Sequence, residues 1–135
     1  MIHIIIKASS EYPINRKRIR KKVVDRLKKH GLENQVVEMG INFIGDRKMA
    51  RLSLAYLKKT GPADVLSFPL AELDKIDKKK TGFIELPDEV LHLGDIVISY
   101  PQVRHQAQKE NLLVDEVIDR LVQHGLLHLL GIHHH

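Results

Sequence analysis

Histidines at positions 124, 128 and 134, with a glycine at 131, are the residues of this chain best placed to do chemistry. Two histidines four apart on a helix project from one face, one turn above the other. Gly131, three residues further on, can end that helix in a left-handed conformation, so that the chain turns back and a third histidine meets the first two. Three neutral imidazoles around one open position describe a catalytic zinc site, one ion per chain, rather than a closed structural one. The chain ends His133-His134-His135. A purification tag leaves such a run, but a tag does not account for His124, His128 or Gly131. Of the three terminal histidines, the spacing favours His134. Ligand imidazoles must be neutral, so the metal should leave as pH falls through about 6.

The same spacing occurs in metzincin proteases, H-E-x-x-H-x-x-G-x-x-H. Those enzymes need a glutamate directly after the first histidine as general base, and Gly125 stands there instead. The metal geometry is kept and the peptidase base is absent. No catalytic residue beyond the ligands stands out. Asp64, Asp95, Glu116 and His105 are candidates for a general base. A carboxylate at a strand end or helix start is more often a cap, and an isolated helix histidine is more often simply exposed. Ser67 and Ser99 have no adjacent base in the sequence, which gives no ground for nucleophilic catalysis.

A second chemical feature is a concentration of charge. The chain carries 22 Lys and Arg against 17 Asp and Glu, a net charge of +5. Residues 16–29 alone hold nine Lys or Arg and one Asp, which leaves 13 basic and 16 acidic residues elsewhere. The whole basic excess therefore sits in one segment. Its apolar positions Ile19, Val23, Val24 and Leu27 form a single helical stripe, and everything around them is polar. Such a helix is either a solvated face or a surface for phosphates. The scarcity of compensating acids favours phosphates, with Arg16, Lys17, Arg20, Lys21 and Lys28 as contacts. Three Phe, three Tyr and no Trp are too few for base stacking to dominate, so binding should fall steeply with salt.

The elements that must position these residues can be read from hydrophobic period and punctuation. Residues 2–6 are a β-branched run suited to a buried strand. A helix follows from about Arg16 to His30, stopped by Gly31. Residues 35–44 read as a second strand. Asp46 is placed to N-cap a helix to about Lys58, and Gly61-Pro62 breaks the chain. Residues 64–69 form a short strand ended by proline. Residues 72–81 read as a charged surface loop, and residues 83–86 as a short strand. Residues 93–99 are the best strand of the second half. Pro101 starts a helix to about Lys109, and a last helix from about Leu113 to Leu130 carries the first two histidines. The longer strands are apolar enough for burial on both faces. The implied class is α+β: a mixed, mostly parallel sheet of about four strands, one of them antiparallel, packed with helices and a central metal helix. At 135 residues the chain is expected to be one domain, residues 1–135. It has no apolar run of membrane-spanning length, no signal-peptide pattern and no cysteine. A cytoplasmic protein without a membrane partner is expected.

Three segments together resemble one family. His124-Gly-x-Leu-His128-Leu-x-Gly131-x-x-His134 resembles the signature of the YbeY endoribonuclease (rRNA maturation factor) family. Residues 62–69, Pro-Ala-Asp-Val-Leu-Ser-Phe-Pro, resemble its P-T-D-V-L-S-F-P segment. Residues 93–99, Leu-Gly-Asp-Ile-Val-Ile-Ser, with Gln106-Ala107, resemble its L-G-D-I-x-I-S…Q-A segment. The resemblance implies a metal-dependent, single-strand-specific endoribonuclease acting on ribosomal RNA in small-subunit maturation and ribosome quality control. It also implies zinc held by His124, His128 and His134. The chain departs from the pattern at Leu57, where the family has arginine, and at Ile132-His133, where it has Tyr-Asp.

Overall fold

The computed structural model describes residues 1–70 and 90–132. The expected strand at 83–86, the loop at 72–81 and His134 lie outside these residues. The chain runs β1 (Ile2–Lys7), α1 (Arg16–Lys29), β2 (Val36–Ile44), α2 (Asp46–Leu57), β3 (Val65–Pro69), β4 (Val90–Ser99), α3 (Tyr100–Glu110) and α4 (Val114–Leu129). The sheet order is β1-β2-β4-β3. β1, β2 and β4 are parallel, and β3 is antiparallel to β4. The α+β class with one antiparallel strand is as read from the sequence.

Local chemistry explains the boundaries. Asn15 accepts the Arg18 N–H at 3.1 Å and so starts α1. Gly45, not Asp46, is the N-cap of α2. Asp46 sits in the first turn, where its carboxylate accepts from the Ser99 hydroxyl (2.7 Å) and the Gln102 amide (3.1 Å). It thereby ties α2 to the start of α3. β4 begins at Val90 rather than 93, and its register with β2 jumps between Glu38 and Met39, which leaves Leu93 as an extra residue.

The period of two separates the faces of the sheet. Ile4, Ile6, Val37, Met39, Ile41, Phe43, Ile96 and Ile98 share one core with residues of α1, α3 and α4. Met49 of α2 joins Leu66 and Val97 in a smaller cluster on the other face. Helix α4 lies between α1 and α3, as a central helix should. Burial on both faces, expected of the longer strands, does not hold for β1. Among the described residues Ile5 is 50% exposed. A cavity of about 150 Å³ opens over that face, lined in part by Ile5, Lys7, Asn42, His92 and Asp95. Alternation in β1 reflects this: Ile4 and Ile6 face the core, while Ile5 and Lys7 point away from it.

Candidate metal centre and nucleic-acid face

Helix α4 buries Val117, Ile118, Leu121, Val122, Gly125, Leu126 and Leu129. This broad apolar stripe fixes its rotation on the sheet. The rotation leaves His124 exposed and His128 partly buried on the flank of the helix. Their rings lie one above the other, with centroids 4.6 Å apart and planes tilted by 52°. Two imidazoles so placed suit a borderline ion such as zinc, which accepts histidine nitrogen as a ligand.

The helix ends as its glycine requires. Gly131 has φ +77°. Its N–H donates to the His128 carbonyl at 3.1 Å, and the Ile132 N–H donates to the Leu127 carbonyl at 2.9 Å. These two bonds form a Schellman motif. The chain is thus reversed just beyond the second histidine, and Ile132 packs back on the core. Among the described residues no group of three His, Cys, Asp or Glu side chains converges. For the pair to hold a metal with three protein ligands, the third would have to come from outside the described residues; His133, His134 and His135 follow directly in the sequence.

Gly125 lies on the sheet side of the helix. A Cβ there would come within 2.9 Å of Ile96 Cγ2 and 3.1 Å of Ser67 Oγ. A glutamate at this position would be driven against β4. The glycine is therefore required by packing, and a peptidase base is excluded in this geometry.

The candidate bases are engaged in structural tasks or lie elsewhere. Asp64 accepts the Val65 N–H at 2.7 Å and the Gln106 amide at 2.9 Å. Gln106 in turn accepts from Arg120 at 3.0 Å, and Arg120 also pairs with Glu110 at 2.6 Å. The Arg120 guanidinium holds the Glu110 carboxyl below its ordinary range. Asp95 alternates with Ile96 on β4 and so lies on the face away from α4, directly over Gly40. Glu116 accepts the Leu113 N–H at 3.0 Å and caps α4. His105 is exposed on α3.

The basic helix divides into three columns. Arg16 and Arg20 lie toward β1, where they donate to the backbone carbonyls of Ile6 (2.6 Å) and Ile4 (3.3 Å). Arg18, Lys22 and Arg26 face α4. Arg18 Nη2 and Lys22 Nζ meet Asp119 at 2.6 and 3.5 Å, and Arg26 donates to Gln123 at 2.9 Å. The Asp119 carboxylate raises the Arg18 pKa by hydrogen bonding and charge. Lys17, Lys21 and Lys28 are exposed and, four and seven residues apart, share the outward face. Lys21 is also 3.6 Å from Asp25. All five cations expected to touch phosphate are exposed, but Arg16 and Arg20 are engaged by β1 carbonyls, whereas these three lysines form the outward stripe.

Two relationships were missed from sequence. Gly125 is fitted to Ser67, whose hydroxyl donates to its carbonyl at 3.2 Å. The charge run of α1 is also divided between sheet edge, helix neighbour and solvent. The only sequence signal for the first was a glycine inside a helix. For the second it was the four-residue spacing of Arg16 and Arg20.

Comparison with known proteins bears on the family and the fold. The family described as Endoribonuclease YbeY matches residues 5–135. An endoribonuclease YbeY of Dehalococcoides mccartyi is 37% identical over 116 residues, 85% of this chain and 67% of that protein. One from Aquifex aeolicus is 32% identical over 126 residues, 90% of this chain and 74% of its own length. One from a Synechococcus is 42% identical over 98 residues, 73% of this chain and 54% of the relative. A Thermotoga maritima protein solved in solution shares the fold, with a TM-score of 0.58 at 22% identity over 100% of this chain and 75% of that one.

Proposed function

The chain belongs to the YbeY endoribonuclease family, and on that footing we propose that it is a metal-dependent, single-strand-specific endoribonuclease. Its substrate is ribosomal RNA, and its setting is small-subunit maturation and ribosome quality control in the cytoplasm. No described helix is long and apolar enough to cross a membrane. The observation that carries the reading is the His124–His128 pair, one turn apart on a helix that Gly131 ends by a chain reversal.

His124, His128 and His134 would hold one zinc ion, the first two from one face of the helix. The metal, when bound, supplies a Lewis acid for a phosphodiester oxygen and a water of lowered pKa. The chain's own residues then bind and position. The buried face of α4 and the Ser67–Gly125 contact fix the two imidazoles relative to the sheet. Lys17, Lys21 and Lys28 hold flanking phosphates, a contact of charge rather than of base shape.

Peptide hydrolysis fits less well. Such enzymes hold substrate by adding it as a strand to a sheet edge. The Ser99 N–H donates to the Asp64 carbonyl at 3.0 Å, which turns the amides of Val65 and Ser67 outward from β3. The Val65 N–H is taken by the Asp64 carboxylate, and Pro69 has no N–H. Ser67 alone is left as an outward donor among the described residues of β3.

The test is cleavage of single-stranded ribosomal RNA before and after chelation. Activity lost with chelator and restored by stoichiometric zinc is expected. RNA bound but never cleaved at any metal loading would instead favour a non-catalytic ribosome-associated protein, a reading to which Leu57 in place of the family's arginine lends weight.

A further inference from the structure

We propose that the outer edge of β1 is a latent pairing surface for a second copy of this chain, held shut by Arg16 and Arg20. Ile2-His3-Ile4-Ile5-Ile6 holds four isoleucines around one histidine, with no proline and no acidic residue, and Lys7 closes the strand. Segments of that kind, exposed at a sheet edge, pair with other chains. Among the described residues β1 pairs only with β2.

Backbone phasing shows which groups face out. The Val37 N–H donates to the Met1 carbonyl at 2.8 Å. The odd residues of β1 therefore point their backbone groups at β2, and the carbonyls of Ile4 and Ile6 point to the free edge. These are the carbonyls on which Arg20 and Arg16 sit. The match is geometric. Four residues of helix rise about 6 Å, and two residues of strand rise about 6.6 Å. One guanidinium therefore falls on each of these two carbonyls, the helix running opposite to the strand. Hydrogen bonds from charged donors are stronger than the amide bonds an incoming strand would offer in exchange. The occupant follows from self-complementarity: two identical β1 edges related by a two-fold axis each present the other with the same apolar run. Ile5, half exposed on the open face, would meet its counterpart or a diagonal neighbour across such a pairing. Two of the nine cations of α1 thus serve against self-association rather than for RNA.

The test compares the wild-type protein, Arg16→Ser/Arg20→Ser, and that double variant carrying Ile5→Lys, by sedimentation over a wide concentration range. The double variant is expected to at least double its weight-average mass with concentration while keeping its circular dichroism. Hydrogen exchange at the Ile4 and Ile6 amides should slow. Ile5→Lys, which puts a charge on the edge strand, should restore the wild-type mass. A folded double variant with wild-type mass at every concentration overturns the proposal. So does association that leaves β1 exchange unchanged and is not reversed by Ile5→Lys. If the double variant does not fold, Arg20→Ser alone, which removes only the longer bond, is judged by the same criteria.

Discussion

The Ser67 hydroxyl donates to the Gly125 carbonyl at 3.2 Å, across the contact where β3 meets the helix that carries His124 and His128. Gly125 leaves no room for a Cβ between Ser67 and Ile96. The two residues lie 58 positions apart, yet they set how closely the histidine helix approaches the sheet.

Gly125→Ala should therefore destabilise the protein. Alanine in a helix is worth up to about 1 kcal/mol over glycine. The overpacking against Ile96 costs about 1–3 kcal/mol and wins. Denaturant unfolding of the apo-protein checks this, and an alanine variant more stable than wild type would contradict the packing. Ser67→Ala removes the bond without a clash and should cost less, about 0.5–1.5 kcal/mol.

Lys17, Lys21 and Lys28 should account for more of the RNA affinity than Arg16 and Arg20. Replacing the three lysines with alanine is expected to weaken binding of unrelated single strands alike. It should also lower the slope of log K against log salt by about 2, at about 0.7 per phosphate contact. Fluorescence anisotropy at several salt concentrations measures it. An equal loss from Arg16→Ser/Arg20→Ser, measured where that variant is monomeric, would return the arginines to the RNA face.

Tyr100 supplies a pH prediction with a definite sign. Burial raises its pKa above the ordinary tyrosine value of 10.0. Its hydroxyl donates to the Pro13 carbonyl at 2.6 Å, and its ring stacks on Tyr12 at 4.9 Å. A group whose folded pKa is raised contributes stability that is complete below the unfolded value and lost as pH rises through the folded one. Stability should therefore fall above about pH 10. In the folded protein a tyrosinate absorbance titration should show a late component from Tyr100. Tyr100→Phe should abolish that late component.

Zinc affinity should fall as pH drops through about 6, since the imidazoles must give up their protons to bind. His124→Ala and His128→Ala should each lower it at least tenfold, and His134→Ala should lower it as well. His105→Ala, on an exposed helix face, should leave it unchanged. Competition with a chromophoric chelator reads all four. Unchanged affinity in His134→Ala would move the third ligand to another residue.

Much of this was legible in the sequence, and the reasons for the remainder are physical. Helix α4 was readable because His124, His128 and Gly131 combine a helical period with a terminator, both local signals. The strands were readable from β-branched runs. Their order was not, because pairing β4 between β2 and β3 depends on contacts remote in sequence. One-sided exposure of β1 was hidden for the same reason: Ile5 looks like Ile4 and Ile6 until the layer above it is known. The charge of α1 is legible in the sequence, but its division among neighbours is not. A count of cations cannot show that Arg16 and Arg20 lie over Ile6 and Ile4, or that Arg18 and Lys22 share Asp119.

The most direct measurement is cleavage of labelled single-stranded ribosomal RNA by the wild-type protein and by His128→Ala, purified in parallel. Cleavage by the wild type and its loss in a variant that still folds would place the chemistry at the histidine pair. Equal cleavage by both proteins, or none by either when loaded with zinc, would contradict it.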